Sequence, residues 1–217
     1  MKSELSKRIL SSIVLFIIVF LIIIGGSFIF NLFLVVCLCI TLFEWHKLSK
    51  KKIFYYPGII FLIFSFYAVF ELYTFNNNYL NFLLIFFICI STDIGGYIFG
   101  KIFKGPKLIS ISPKKTYAGA IGGLLLSTLS IIVFFEISYF FPQKPQITFY
   151  TYQMIILISA VSQFGDILIS YFKRLSNTKD TGNLIPGHGG LLDRADGMIF
   201  AFPFYYIILI SNSYKFF

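Results

Sequence analysis

This sequence predicts an all-α protein that crosses a membrane about seven times, with its N-terminus in the cytosol. Three observations carry the prediction. Hydrophobic residues fill 58% of the 217 positions and charged residues only 12%. They fall in long apolar runs, and the mean hydropathy is +0.85. Nearly all basic residues lie between alternate runs, as the positive-inside rule requires. The 29 Phe and 14 Tyr exceed what one water-soluble core of this size can bury, so lipid is the solvent for most of that surface.

The first apolar stretch, from about Ile9 to Phe43, would extend about 50 Å as one helix against a hydrocarbon core of about 30 Å. Gly25-Gly26-Ser27 near its middle is the natural turn, so the stretch reads as two helices. Lys2, Lys7 and Arg8 ahead of it resemble the start of a signal peptide. No small-residue cleavage pattern follows, however, and an uncleaved first span is expected. Further spans are expected over about 53–75, 80–100, 118–141, 151–173 and 197–211. With the N-terminus inside, segments 1–8, 44–52, 101–117 and 173–196 hold 16 of the 18 Lys and Arg, and only Lys144 and Lys215 fall outside. The outer connections at 76–78 and 141–146 read as simple turns. The expected division is N-terminal transmembrane helices over 1–90, then a catalytic transmembrane region over 91–217 with cytosolic loops 101–117 and 173–196.

The net charge of +9 orients the spans and meets anionic head groups, since the basic residues are scattered among apolar runs with no nucleic-acid-binding motif. Cys37, Cys39 and Cys89 lie inside apolar runs and read as small packing residues, neither disulfides nor ligands. Small residues recur at spacings of four, Gly96 with Gly100, Ala118 with Gly122 and Gly119 with Gly123, which is the pattern of closely packed helices. Gly95-Gly96 with Gly100 follows no strand, so a dinucleotide fingerprint is not supported.

Two cytosolic segments hold most of the polar chemistry. Ser110-Ile-Ser112-Pro113-Lys114-Lys115-Thr116 sets hydroxyls and lysines ahead of a helix start, an arrangement that can hold an anion. Alone, it reads better as a juxtamembrane basic cluster on lipid phosphates. The second segment runs from Ser170 through Lys173-Arg174 and Lys179-Asp180 to Pro186-Gly187-His188-Gly189-Gly190-Leu-Leu-Asp193-Arg194-Ala-Asp196. Acids supply hard oxygen ligands for Mg²⁺, Lys and Arg neutralise phosphate oxygens, and glycines let backbone approach a ligand. That mixture suits metal-assisted phosphoryl or nucleotidyl transfer.

Two acids lie within apolar spans. Asp166 precedes Arg174 by eight residues and Asp93 precedes Lys101 by eight, which places both about 12 Å below the cytosolic boundary. Ser159, Ser162, Asp166, Ser170 and Lys173 recur at helical spacing as one polar stripe. A carboxylate at that depth needs a partner or a hydrated cavity, which makes Asp166 a functional candidate. For Asp93, a helix–helix hydrogen bond is an equal alternative. Glu71 and Glu136 are assigned nothing.

The second segment resembles the signature of phosphatidate cytidylyltransferases nearly residue for residue. Ser112-Pro113-Lys114-Lys115-Thr116 and Ser91-Thr92-Asp93-x-Gly95-Gly96-Tyr97 resemble two further blocks of that family, so the resemblance covers about residues 91–200. Ala118 stands where members often carry an acidic or amide residue, and the N-terminal part is shorter than in many members. The resemblance implies cytidylyl transfer from CTP to phosphatidate, giving CDP-diacylglycerol and pyrophosphate, with Mg²⁺ and room for a second cation. It implies a bacterial inner membrane with the site facing the cytosol, membrane lipids as surroundings, and allows a homodimer. Asp166 and Asp193 are expected to hold the metal, with Asp93 and Asp196 as second choices. Lys173, Arg174, Lys179 and Arg194 are expected to clamp phosphates, with Asp180 and His188 beside them as catalytic contacts. Ser112, Lys114, Lys115, Thr116, Ser170, Gly189 and Gly190 are expected to bind substrate. A CTP-dependent polyprenol or phytol kinase and an ion-coupled transporter using Asp93 and Asp166 are the alternatives.

Overall fold

A computed structural model describes residues 22, 25–74, 79–109, 112, 115–138, 148–184 and 189–211. The expected first span, the turns at 76–78 and 141–146, Lys114, His188 and Lys215 lie outside the described residues.

Seven helices are described: α1 Ser27–Ser49, α2 Tyr55–Thr74, α3 Leu80–Phe103, α4 Tyr117–Ser138, α5 Phe149–Leu175, α6 Leu192–Ala195 and α7 Met198–Ile210. An isolated antiparallel bridge pairs Lys107 with Thr116. The first five helices are long and apolar enough to cross a membrane. The 23 residues of α1 reach about 35 Å and the 27 of α5 about 40 Å. The 13 residues of α7 reach about 20 Å, short of a hydrocarbon core of about 30 Å. Leu32, Val35, Ile121, Leu125 and Ile132 are exposed on the helix surfaces, where lipid rather than water suits them. The chain is an all-α multipass membrane protein.

Several helices outrun their apolar runs. α1 continues through Glu44 to Ser49, inside the segment expected as a cytosolic loop, because Glu44 and Trp45 find partners there. α5 ends at Leu175 in a Schellman motif: Thr178 N–H bonds to the Lys173 carbonyl and Asn177 N–H to the Arg174 carbonyl. Asn177 takes the left-handed conformation, φ 55°, that this stop requires. At α4, the Thr116 Oγ1 accepts the Gly119 N–H at 3.1 Å, an N-cap on the third helical residue.

The chain forms two compact units. The first comprises Met1–Phe70 and Phe172–Ala195, the second Glu71–Tyr171 and Asp196–Phe217. In the first, the Trp45 ring packs edge-on against Phe54 and Phe172, with centroids 5.7 and 5.5 Å away. Its Nε1–H donates to the Tyr55 carbonyl at 3.0 Å, which ties the end of α1 to the start of α2. In the second unit, α3 is the hub. Thr92 and Ser159 share a buried 2.7 Å hydrogen bond to α5. Tyr205 donates to Asn81 at 3.2 Å and Phe82 stacks on Phe202, joining α7. Gln163 Nε2 donates to the Ala120 carbonyl at 3.2 Å, joining α5 to α4.

The α3–α4 contact depends on small residues, as their spacing predicts. A Cβ on Gly95 would lie 2.5 Å from the Gly122 carbonyl oxygen and 2.8 Å from the Leu126 Cβ. One on Gly96 would meet its nearest neighbour, the Gly119 oxygen, at an ordinary 3.7 Å. Gly95→Ala is therefore expected to destabilise the protein by about 1–3 kcal/mol, while Gly96→Ala changes little. Thermal midpoints of the two variants in the same detergent check this, and equal midpoints would contradict the close approach.

Candidate active site

In the first compact unit, the glycine-rich segment after α5 is built around one carboxylate. Asp193 lies in the first turn of the short helix α6, and its side chain is only 6% exposed. Its Oδ1 accepts from Lys173 Nζ at 2.7 Å. Its Oδ2 accepts from the Thr181 N–H at 2.8 Å, the Thr181 hydroxyl at 3.0 Å and the Gly190 N–H at 2.9 Å. Burial alone would raise the Asp193 carboxyl, but the Lys173 hydrogen bond, the two backbone N–H groups and the Lys173 charge together hold it below its ordinary value of 3.8.

Glu44 projects into the same loop from α1 and is 4% exposed. Its carboxylate accepts the Leu191 N–H at 2.9 Å, the Leu192 N–H at 2.8 Å and the Thr181 hydroxyl at 3.0 Å. Around this core stand exposed cations. Arg174 donates to the Thr178 carbonyl at 3.1 Å, and Lys179 and Arg194 are exposed. Asp180 is also exposed, and Gly189, at φ 85°, turns the chain just ahead of Gly190.

In the second unit, Lys115 forms an ion pair with Asp166, and Ser170 donates to Asp166 at a long 3.5 Å. The Lys115 and Asp166 side chains remain 24% and 31% exposed. Lys115 is positioned by a backbone hairpin in which Leu108 N–H bonds to the Lys115 carbonyl and Tyr117 N–H to that of Pro106. Ser159, Ser162 and Ser170 are buried, so the polar stripe read on this helix faces protein. Asp93 is exposed on α3, next to Thr92, which shares a hydrogen bond with Ser159 of α5. Asp196 Oδ1 accepts the Gly197 N–H at 2.9 Å. Ser112 is partly buried, while Thr116 spends its hydroxyl oxygen on the helix cap.

A model of the cytidylyltransferase family matches residues 6–79 and 58–211, nearly the whole sequence. The chain belongs to the cytidylyltransferase family. Its relatives include proteins named phosphatidate cytidylyltransferase. That of Rickettsia typhi is 35% identical over 217 residues, covering 96% of this chain and 93% of its own. That of Rickettsia prowazekii is 36% identical over 214 residues, covering 88% and 92%. The Bacillus subtilis relative is 38% identical over 129 residues, which cover 58% of this chain and 46% of its own.

Within this cytidylyltransferase, Glu44 and Thr181 were not singled out by the sequence reading. Glu44 sits between Phe43 and Trp45 at the end of an apolar run, so the rule that flags intramembrane acids applied to it as well as to Asp93. Thr181 carries no such signal; only the fold shows its N–H turned to Asp193 and its hydroxyl set between Asp193 and Glu44. Among the described residues, no three His, Cys, Asp or Glu come close enough to hold a metal ion.

The donor sets of the two acids expected to hold Mg²⁺ differ. Asp193 is already engaged by Lys173 on Oδ1 and by the Thr181 and Gly190 amides on Oδ2, with the Thr181 hydroxyl shared between it and Glu44, so less of its acceptor capacity is left for a metal. Asp166 fits better: partly exposed, with one cation and one long hydrogen bond, it keeps acceptor capacity. Mg²⁺ characteristically takes one or two carboxylates together with substrate phosphates and waters, so a single such acid suffices.

Proposed function

We propose that this chain transfers the cytidylyl group of CTP to phosphatidate, forming CDP-diacylglycerol and releasing pyrophosphate. The observation that carries this reading is the 35% identity to a phosphatidate cytidylyltransferase along nearly the full length of both chains. The relatives described above bear neither kinase nor transporter names, so neither alternative gains support.

In the reaction, a phosphate oxygen of phosphatidate bonds to the α-phosphorus of CTP. The α–β anhydride bond breaks and its electron pair leaves with pyrophosphate. The attacking phosphate is already ionised at neutral pH and needs no general base. The obstacle is the approach of two polyanions, which calls for fixed positive charge where negative charge gathers. Arg174 in the last turn of α5, Lys179 on the loop that follows and Arg194 in α6 are exposed around the Asp193 and Glu44 bonds, and we assign them to phosphate oxygens. Lys173 neutralises Asp193 and so orients the start of that loop. Lys115, with Ser112 nearby in sequence, is assigned to the second polyanion, and its pairing with Asp166 fixes its reach. Bound Mg²⁺ would neutralise phosphate charge and polarise the reacting phosphoryl group, with Asp166 as its protein ligand.

The site is assigned to the cytosolic face of an inner membrane, where CTP is available and where the basic loops fall under the positive-inside rule. Purified protein given CTP, phosphatidate and Mg²⁺ is expected to yield CDP-diacylglycerol and pyrophosphate in equal amounts. A kinase would yield CDP and no pyrophosphate, and that outcome would overturn the reading.

A further inference from the structure

We infer that Glu44, contributed by a helix outside the family's signature segment, is a positioning residue that sets the shape of the Gly190–Asp193 turn. The inference rests on the cytidylyl-transfer reading for what the turn serves, and on geometry for how it is held.

Three donors converge on the Glu44 carboxylate, and two are consecutive backbone amides, Leu191 and Leu192, at the entry to α6. A turn whose N–H groups point at a buried anion is fixed in both rotation and depth. The third donor, the Thr181 hydroxyl, lies 3.0 Å from Glu44 Oε2 and 3.0 Å from Asp193 Oδ2. A hydroxyl has one proton to give, so Thr181 serves one carboxylate at a time and couples the two. The packing leaves no slack: a Cβ on Gly190 would lie 2.5 Å from both Glu44 oxygens. Gly182 is pressed similarly, its Cβ position 2.8 Å from Oε1. The α1 carboxylate therefore occupies the hollow that these glycines leave. Through the Leu191 and Leu192 amides it fixes where Asp193 and Arg194 begin.

Gln at position 44 keeps the size but accepts at one oxygen only, and its amide N–H₂ would face a backbone donor. In Glu44→Gln, deuterium uptake should rise in the segment holding Leu191 and Leu192 while α3 and α4 stay protected. The kcat/KM, measured per folded protein well below the thermal midpoint, should fall at least about tenfold, the scale of a lost hydrogen bond to a charged group. A purely structural role would raise uptake and lower the midpoint without changing turnover per folded molecule. Thr181→Val, which keeps its own backbone N–H bond to Asp193, should show a smaller fall of the same kind. It decides the matter if the Gln variant does not fold. Turnover within about twofold of wild type in either folded variant, below the change one such bond supplies, would overturn the inference. Absence of pyrophosphate from the wild-type reaction would instead overturn the reaction itself, while the loop's deuterium uptake still tests the hold of Glu44.

Discussion

Asp166→Asn is expected to abolish cytidylyl transfer while leaving a folded, membrane-inserted protein. The side chain is partly exposed and pairs with Lys115, so its removal costs less than about 1 kcal/mol of stability. The chemical loss is far larger. An amide neither neutralises Lys115 nor offers the charged oxygen that a divalent cation prefers, and losing one such electrostatic element lowers kcat by about 10²–10³-fold. Pyrophosphate release by the purified variant, beside its circular dichroism and thermal midpoint, separates the two effects. Turnover within a few-fold of wild type would remove Asp166 from the site.

Lys173→Met should have the next largest effect, on both stability and activity. It strands Asp193, whose side chain is 6% exposed, with hydrogen bonds but no counter-charge. Breaking a buried pair from one side costs about 3 kcal/mol, and the wild-type dependence on pH gives it a signature. Because folding holds the Asp193 carboxyl below its ordinary 3.8, the stabilisation is complete above about pH 4 and is lost as the pH falls through the folded-state value. The gap between wild-type and variant midpoints should therefore be widest near neutrality and narrow below pH 4. A gap that widens in acid would mean that the Lys173–Asp193 pair is not its source. Adding Asp193→Asn to the variant should restore part of the stability, since no buried charge is then left alone, but none of the activity.

Much of this was legible in the chain before any coordinates. The apolar runs and the asymmetry of Lys and Arg fixed the class and most helix positions, because a bilayer leaves so few solutions. The glycines of α3 and α4 announced a close crossing, and Gly95 against Gly122 is that crossing. What stayed hidden depends on long-range partners. Asp193 reads as a metal ligand in the sequence, yet Thr181 and Gly190 supply it with amides that no spacing rule reveals. Glu44 lies 137 residues from Thr181 and more from Leu191, and such pairings become visible only in the folded chain. Helix ends were misjudged for a related reason. α1 runs on to Ser49 because Glu44 and Trp45 are satisfied by partners elsewhere in the fold, whereas polarity alone places them in a loop.

Trp45 is the only tryptophan in the chain. Its ring is buried against Phe172, the residue just before Lys173, and its backbone follows directly on Glu44. Indole emission from this protein therefore comes from a single address, at the root of the loop to which we assign phosphate binding. It makes the unlabelled enzyme its own optical gauge for substrate titrations in detergent or lipid.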